Sequence, residues 1–192
     1  MSDLLRGELV RLTAENPEVM ASNFSLWYQD TGWVRFLDTD PSRLSSEKKW
    51  KEWLDKDLDK ETTDEVFFAI RTLESDKLIG FIGLFELFKN HGDTLVAIAL
   101  GEREYWGKGY GTDAMRVLLR YAFYELNLRR VGLIVFEYNP RAIRSYEKIG
   151  FIHEGSVRRV MQREGKRWDF QYMGILREEW LARQTGESGD QR

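Results

Sequence analysis

Two short segments carry residue types whose spacing could do chemistry. The first is Gly107-Lys108-Gly109-Tyr110-Gly111, followed by Thr112 and a long amphipathic stretch. Glycines permit positive φ and let the backbone approach a ligand with no Cβ in the way. Amides at a helix start are orphan donors at the positive end of the dipole, a combination that suits a pyrophosphate. Lys108 adds a positive charge nearby. The same residues also read as a plain tight turn, and two better-known phosphate patterns are missing. There is no G-x-x-x-x-G-K-[ST], and Gly107-x-Gly109 meets Thr112 where a dinucleotide fingerprint needs a third glycine. The second segment is Asn139-Pro140-Arg141-Ala142-Ile143-Arg144-Ser145-Tyr146-Glu147-Lys148-Ile149-Gly150-Phe151. Three-and-four spacing sets Asn139, Ile143, Tyr146 and Gly150 on one helical face. Tyr146 could thus share a cleft with the glycine turn; the other reading is a core aromatic with a satisfied hydroxyl.

The elements that must position these segments follow from pattern and punctuation. Residues 8–13 alternate apolar and polar and predict a first strand. Asn16-Pro17 is a cap followed by proline at the first helical position, so a helix runs from there toward Tyr28. A second helix follows Ser45 or Ser46, with Trp50, Trp53, Leu54 and Leu58 on one face. Residues 30–42 between them read as a loop. Strands at 66–72, 78–87 and 94–100 are joined by turns at Asp76-Lys77 and Asn90–Asp93, predicting an antiparallel meander. Met115, Leu118, Leu119, Ala122, Phe123 and Leu126 mark a long helix from Thr112 to Leu126. Residues 131–136 are almost all apolar, as in a strand buried on both faces. Asn139-Pro140 opens another helix and Gly150 closes it as a C′ residue. Strands at 151–161 and 168–176 follow, turned at Glu164-Gly165-Lys166. The order β-α-α-β-β-β-α-β-α-β-β predicts one α/β domain over residues 1–184 with a polar tail over 185–192.

In their order and pairing, Tyr105-Trp-Gly-Lys-Gly-Tyr-Gly-Thr-Asp-Ala114 and Asn139…Ala142…Tyr146-Glu-Lys-x-Gly-Phe151 resemble the GNAT superfamily of N-acetyltransferases. The resemblance covers nearly the whole chain and is strongest to the branch of ribosomal-protein and spermidine acetyltransferases, which Tyr172-Met-Gly-Ile-Leu176 also fits. It implies a mixed, mostly antiparallel central sheet flanked by helices, acetyl-CoA as co-substrate, and transfer of an acetyl group to a small-molecule or peptide amine. The family pattern Gln/Arg-x-x-Gly-x-Gly/Ala falls on Trp106, Gly109 and Gly111, with Trp106 departing from the usual Gln or Arg. By resemblance, Ile98, Ala99 and Leu100 offer main-chain bonds to the pantetheine arm, and Asn139 and Lys148 lie beside the far end of the cofactor. Glu86 matches an acidic position on the substrate side.

Acyl transfer from a thioester to an amine needs an unprotonated nucleophile, a stabilised oxyanion and a protonated leaving thiol. The 192 residues contain no cysteine, which excludes a cysteinyl-acyl intermediate, and direct attack by the amine in a ternary complex is expected. Tyr146 is the candidate acid, since a phenol with a pKa near ~10 is protonated at pH 7. Glu86 is the candidate base; Asp38, Asp40, Glu102 and Glu137 are further acids that could line an acceptor pocket. A main-chain amide near Leu100 is the candidate oxyanion donor.

Composition removes other classes. A net charge of −3 is not the basic excess of a nucleic-acid binder. No apolar run approaches the ~20 residues of a membrane span, and the charged N-terminus is unlike a signal peptide, so a cytoplasmic protein is expected. His91 and His153 belong to no spaced ligand motif, so no metal site is expected. A homodimer accords with the resemblance and with the frequency of dimers among oligomers. Two alternatives stay open at this point: a non-catalytic acyl-CoA-binding or sensor domain of the same fold, and a nucleotide-binding Rossmann domain, against which the meander speaks.

Overall fold

The computed structural model describes residues 3–58, 65–88 and 90–187. In chain order the elements are β1 (Val10–Thr13), α1 (Pro17–Trp27), α2 (Thr31–Leu37), α3 (Glu47–Leu58), β2 (Val66–Thr72), β3 (Leu78–Phe88) and β4 (Asp93–Leu100). After a 3₁₀ turn at Arg103–Tyr105 come α4 (Tyr110–Tyr124), β5 (Arg130–Phe136), α5 (Pro140–Ile149), β6 (Ile152–Arg163), β7 (Lys166–Leu176) and α6 (Arg177–Glu187). The seven strands form one sheet in the order β1-β2-β3-β4-β5-β7-β6. Every neighbouring pair is antiparallel except β4 with β5. This is the α/β fold with a mixed, mostly antiparallel sheet that the sequence predicts.

Each face of the sheet carries its own core. On one, the α4 stripe of Met115, Leu118, Leu119, Ala122 and Phe123 packs with Ile149 of α5 and Trp180 of α6 against β1 to β5. On the other, Met20, Phe24 and Trp27 of α1 pack with Trp33 and Val34 of α2 and Leu54 of α3 over Ala69, Leu78, Phe81 and Ala99. Local chemistry sets the helix ends. The Asn16 side chain accepts from the Glu18 amide, with Pro17 at the first position. Asn139 caps α5 in the same way, accepting from Ala142. Gly150 ends α5 at φ 118°, a left-handed conformation that lets its amide and that of Phe151 return to the Tyr146 carbonyl.

Three expectations need correction. The stretch 30–42 is not all loop: α2 occupies Thr31–Leu37, started by the Asp30 carboxylate accepting from the Trp33 amide. Its seven residues span two turns, too few for a helical period to emerge. A further helix, α6, follows β7; its first turn is held by Glu179, which accepts from the Leu176 amide. It carries the chain to Glu187, with Thr185 bonded back to the Ala182 carbonyl, and residues 188–192 of the polar tail lie outside the described residues. Finally, β5 is not buried on both faces throughout, because Ile134 is 41% exposed where β4 has left its side. Among the described residues no helix is long and apolar enough to cross a membrane.

One carboxylate joins the start of the chain to the start of α4. Asp113, 8% exposed in the first turn of α4, accepts from the amides of Glu8, Leu9 and Val10 at 3.2, 2.7 and 3.0 Å. A negative group there also suits the helix dipole. Gly7 makes the approach feasible, since a Cβ on it would fall 2.3 Å from the Asp113 carboxylate. Replacing Asp113 with Ala leaves three amides short of an acceptor. We expect a loss of about 3 kcal/mol, roughly 6–12 °C in Tm for a chain of this size, checked by thermal unfolding.

Candidate active site

The single parallel pair is where a site forms. β4 and β5 are in register only at Asp93↔Arg130, Thr94↔Val131 and Leu95↔Gly132. Arg130 pins this closed end: its guanidinium reaches Asp93 at 2.8 Å and also bonds Glu154 of β6, and these partners raise its pKa. Beyond Leu95 the strands part, and a cavity of ≈ 430 Å³ lies between Val96–Leu100 and Ile134–Phe136. That is a size suited to a small-molecule ligand.

Parting strands leave main-chain groups that need other partners. The Gly101 amide bonds to Ile79 of β3, so by strand alternation Ala99 also turns its main chain toward β3, where it faces Phe81. Ile98 and Leu100 turn theirs toward the cleft. The Leu100 carbonyl is met there by two indoles, Nε1 of Trp33 and Nε1 of Trp106, each at 2.8 Å. Both lone pairs of that oxygen are thereby used. Main-chain groups still turned into the cleft include the amides of Ile98 and Leu100 and the carbonyl of Ile98. Trp106, at the position where the resemblance expects Gln or Arg, thus holds the strand edge open.

One end of the cavity is framed by the glycine turn and α5. Gly107 and Gly109 adopt φ of 71° and 93°, and a Cβ on Gly107 would have nothing within 4 Å. Among the described residues, the amides from Gly107 to Thr112 donate to no protein acceptor; the first to do so are those of Asp113, to the Gly109 carbonyl, and of the helix interior. Six donors at a helix start, without a side chain over the glycines, fit a diphosphate. A Thr112–Ser145 hydroxyl contact of 2.9 Å ties this helix start to α5. From α5 the cavity receives Arg141, Arg144, Tyr146 and Lys148, with Asn139 at the cap. The Arg141 guanidinium lies over the Trp106 ring at 3.9 Å, and partial burial and the neighbouring Arg103 lower its pKa.

Tyr146 faces this cavity. Its ring packs on Phe151 at 5.9 Å, and no protein hydrogen bond holds its hydroxyl among the described residues. Surrounding protein pushes its pKa up to about 12, which the nearby Arg141 offsets only in part. Another part of the wall is apolar, made by Trp33, Phe36 and Leu37 of α2 and by Phe136.

Of the residues singled out in the sequence, the structure brings Ile98, Ala99, Leu100, Trp106, Gly107, Gly109, Gly111, Thr112, Asn139, Tyr146 and Lys148 to one cavity. Lys108 and Tyr110 stand outside its lining, Lys108 exposed and Tyr110 packed edge-on against Tyr105 at 4.9 Å. Glu86 is not brought there either. It is exposed on β3 at a bulge between Phe85 and Phe88, with φ 53°. Sequence reasoning missed Trp33, Phe36 and Leu37, since they belong to the helix read as loop. It also missed Arg141 and Arg144, whose three-residue spacing with Lys148 one turn further was the available signal.

A sheet opened between a parallel pair, with donor amides at one mouth and a phenol inside, defines an acyltransferase built around a CoA thioester. Comparison with known proteins agrees. The family model of the GNAT acetyltransferase domain matches residues 6–152. An uncharacterised N-acetyltransferase of Bacillus subtilis, YokL, derived from the SPbeta prophage, is 31% identical over 91% of this chain and 93% of its own length. The spermidine N(1)-acetyltransferase of Vibrio cholerae is 33% identical over 55% of this chain and 61% of its own. In fold, the chain superposes on the crystal structure of the Vibrio cholerae spermidine N-acetyltransferase in complex with CoA and spermine. The TM-score is 0.79 and the identity 24%, over 90% of this chain and 98% of that one. This chain belongs to the GNAT acetyltransferase family, and it is an acyltransferase that uses acetyl-CoA as co-substrate.

Two glycines of the turn separate backbone need from space. An Ala at 109 must hold a left-handed φ, at about 1–2 kcal/mol. An Ala at 111 sits in ordinary contact, 3.6 Å from Leu100 Cδ1. Gly109→Ala should raise the KM for acetyl-CoA at least tenfold and Gly111→Ala less than about threefold, as read by initial rates at varied acetyl-CoA.

Proposed function

We propose that the protein moves an acetyl group from acetyl-CoA to a primary amine by direct attack within a ternary complex, with Tyr146 serving the leaving group. The acceptor is a small-molecule or peptide amine, for instance a polyamine, an amino acid or a protein N-terminal amine. A cytoplasmic location and a homodimer belong to the same reading. The observation that carries it is an unbonded phenol in the same cavity as the donor-rich turn. The amine nitrogen attacks the thioester carbon, and the carbonyl oxygen takes up the electron pair. The cleft-facing amides of Ile98 or Leu100 are the candidates to receive that charge; one such donor is worth about 3 kcal/mol. Collapse of the intermediate re-forms the carbonyl and breaks the C–S bond. Tyr146 donates its hydrogen bond to the departing sulfur.

With its pKa at about 12, the phenol is a weaker acid than a thiol near ~8.5. Proton loss from Tyr146 alone would run uphill. The proton count closes because attack makes an ammonium whose proton replaces the one that the phenol passes to sulfur. A raised phenol pKa means that the protonated form persists well above pH 10, so titration of Tyr146 gives no falling limb below that pH. Activity should climb with pH as the acceptor loses its proton and then stay level.

Tyr146→Phe should lower kcat by about 100-fold, as for loss of a positioned acid, with the Kd for acetyl-CoA within twofold by calorimetry. Wild-type turnover in that variant would remove Tyr146 from the mechanism. A fall in the wild-type rate between pH 8 and 10, with the protein still folded, would contradict its assigned protonation state.

A further inference from the structure

The acids that the sequence offers for acceptor binding all lie outside the cavity lining. Glu102 accepts from Trp27 Nε1 at 2.9 Å and Lys77 at 2.8 Å. Glu137 accepts from the Asp169 amide and Asp38 from that of Asp40. Asp40 and Glu86 are exposed. Among the described residues no Asp, Glu or His lines the cavity, whereas Arg141, Arg144 and Lys148 do. Arg141 lies 5.9 Å from the Phe36 ring and 3.9 Å from that of Trp106.

Two consequences follow for the acceptor. Among the described residues no carboxylate or imidazole of this wall takes its proton, so the fraction of acceptor already neutral in water limits the rate. At pH 7.5 about a third of a peptide's α-amine, with pKa ~7.8, is neutral, against roughly one part in 800 for an alkyl amine near ~10.4. A second positive charge on the acceptor finds no carboxylate in the wall and meets a guanidinium instead, which selects against polyamines. The acceptor side offers phenyl and leucyl surface on Phe36 and Leu37, backed by the buried rings of Trp33 and Phe136. That surface contributes binding only to an apolar substituent.

We infer that the acceptor is the α-amine of an apolar residue, either a free amino acid or the first residue of a peptide, and not a polyamine. The inference rests on the acetyltransferase reading above and narrows its acceptor. α2 forms the wall on this side. Its Arg35 carbonyl accepts from Tyr138, and the Arg163 guanidinium of β6 bonds the carbonyls of Asp38, Thr39 and Asp40 just after it. These bonds hold the apolar wall in place.

The test is release of CoA from acetyl-CoA by the full chain at pH 7.5. The acceptors are phenylalanine, phenylalaninamide, a short peptide starting with phenylalanine, glycinamide, spermidine and Nα-acetyl-lysine. Phenylalaninamide or the peptide should exceed spermidine and Nα-acetyl-lysine by at least ~100-fold in kcat/KM, the ratio their neutral fractions set. Rank between the free amino acid and the peptide identifies the source. Phe36 is 37% exposed, so its removal spares the core. Phe36→Ala should shrink the preference for phenylalaninamide over glycinamide severalfold in kcat/KM. Spermidine turned over as well as phenylalaninamide, or better, overturns the inference and leaves the transferase reading standing. If no amine releases CoA from a chain that still binds acetyl-CoA, both fall.

Discussion

A strand that leaves its neighbour inside a protein exposes amides and carbonyls that must be bonded again. Everything in this molecule depends on how β4 finds new partners after parting from β5 at Leu95. Two side chains supply part of what is missing. The Leu100 carbonyl takes the indole N–H of Trp33 from α2 and that of Trp106 from the approach to α4. The two rings do for this edge what a strand would have done, and they leave the neighbouring amides turned into the cleft. At the other end of the opening, the Arg130 ion pairs with Asp93 and Glu154 keep the pair closed where it is closed. The cavity is the wedge between a pinned end and a capped end.

The same wedge explains why chemically different walls meet in so small a volume. α4 starts at the open end of β4 and brings its unbonded amides there; α5 starts just after β5 and brings Tyr146 and three cations. α2 carries Trp33 on the face turned inward, so the residue that bonds Leu100 also begins the apolar wall. Asp113 fixes the start of α4 against the entry to β1, so the donor amides do not move independently of the sheet. Charge, hydrogen-bond donors and apolar surface thereby meet in one cavity.

Local signals were legible in the sequence and non-local ones were not. Asn16-Pro17 and Asn139-Pro140 start helices and Gly150 stops one, because caps and proline act within three residues. The glycines at 107 and 109 announced their backbone geometry in the same way. The divergence of β4 from β5 could not be read, since it depends on Trp33, 67 residues before its acceptor. α2 was too short to show a period, and with it went the acceptor wall. Glu86 reads as a strand residue near the substrate, but the bulge after Phe85 redirects the chain and leaves it exposed. A carboxylate is easy to see in a sequence; which of 32 acids faces a cavity is a tertiary fact.

The central claim is that the split edge of β4 and the start of α4 together hold a CoA thioester against Tyr146. A crystal structure of the protein with CoA tests it most directly. The predicted result is the diphosphate on the amides between Gly107 and Thr112, the pantetheine arm along Ile98, and the sulfur within hydrogen-bond reach of the Tyr146 hydroxyl. A diphosphate bound away from that turn, or a sulfur beyond reach of the phenol, would contradict it.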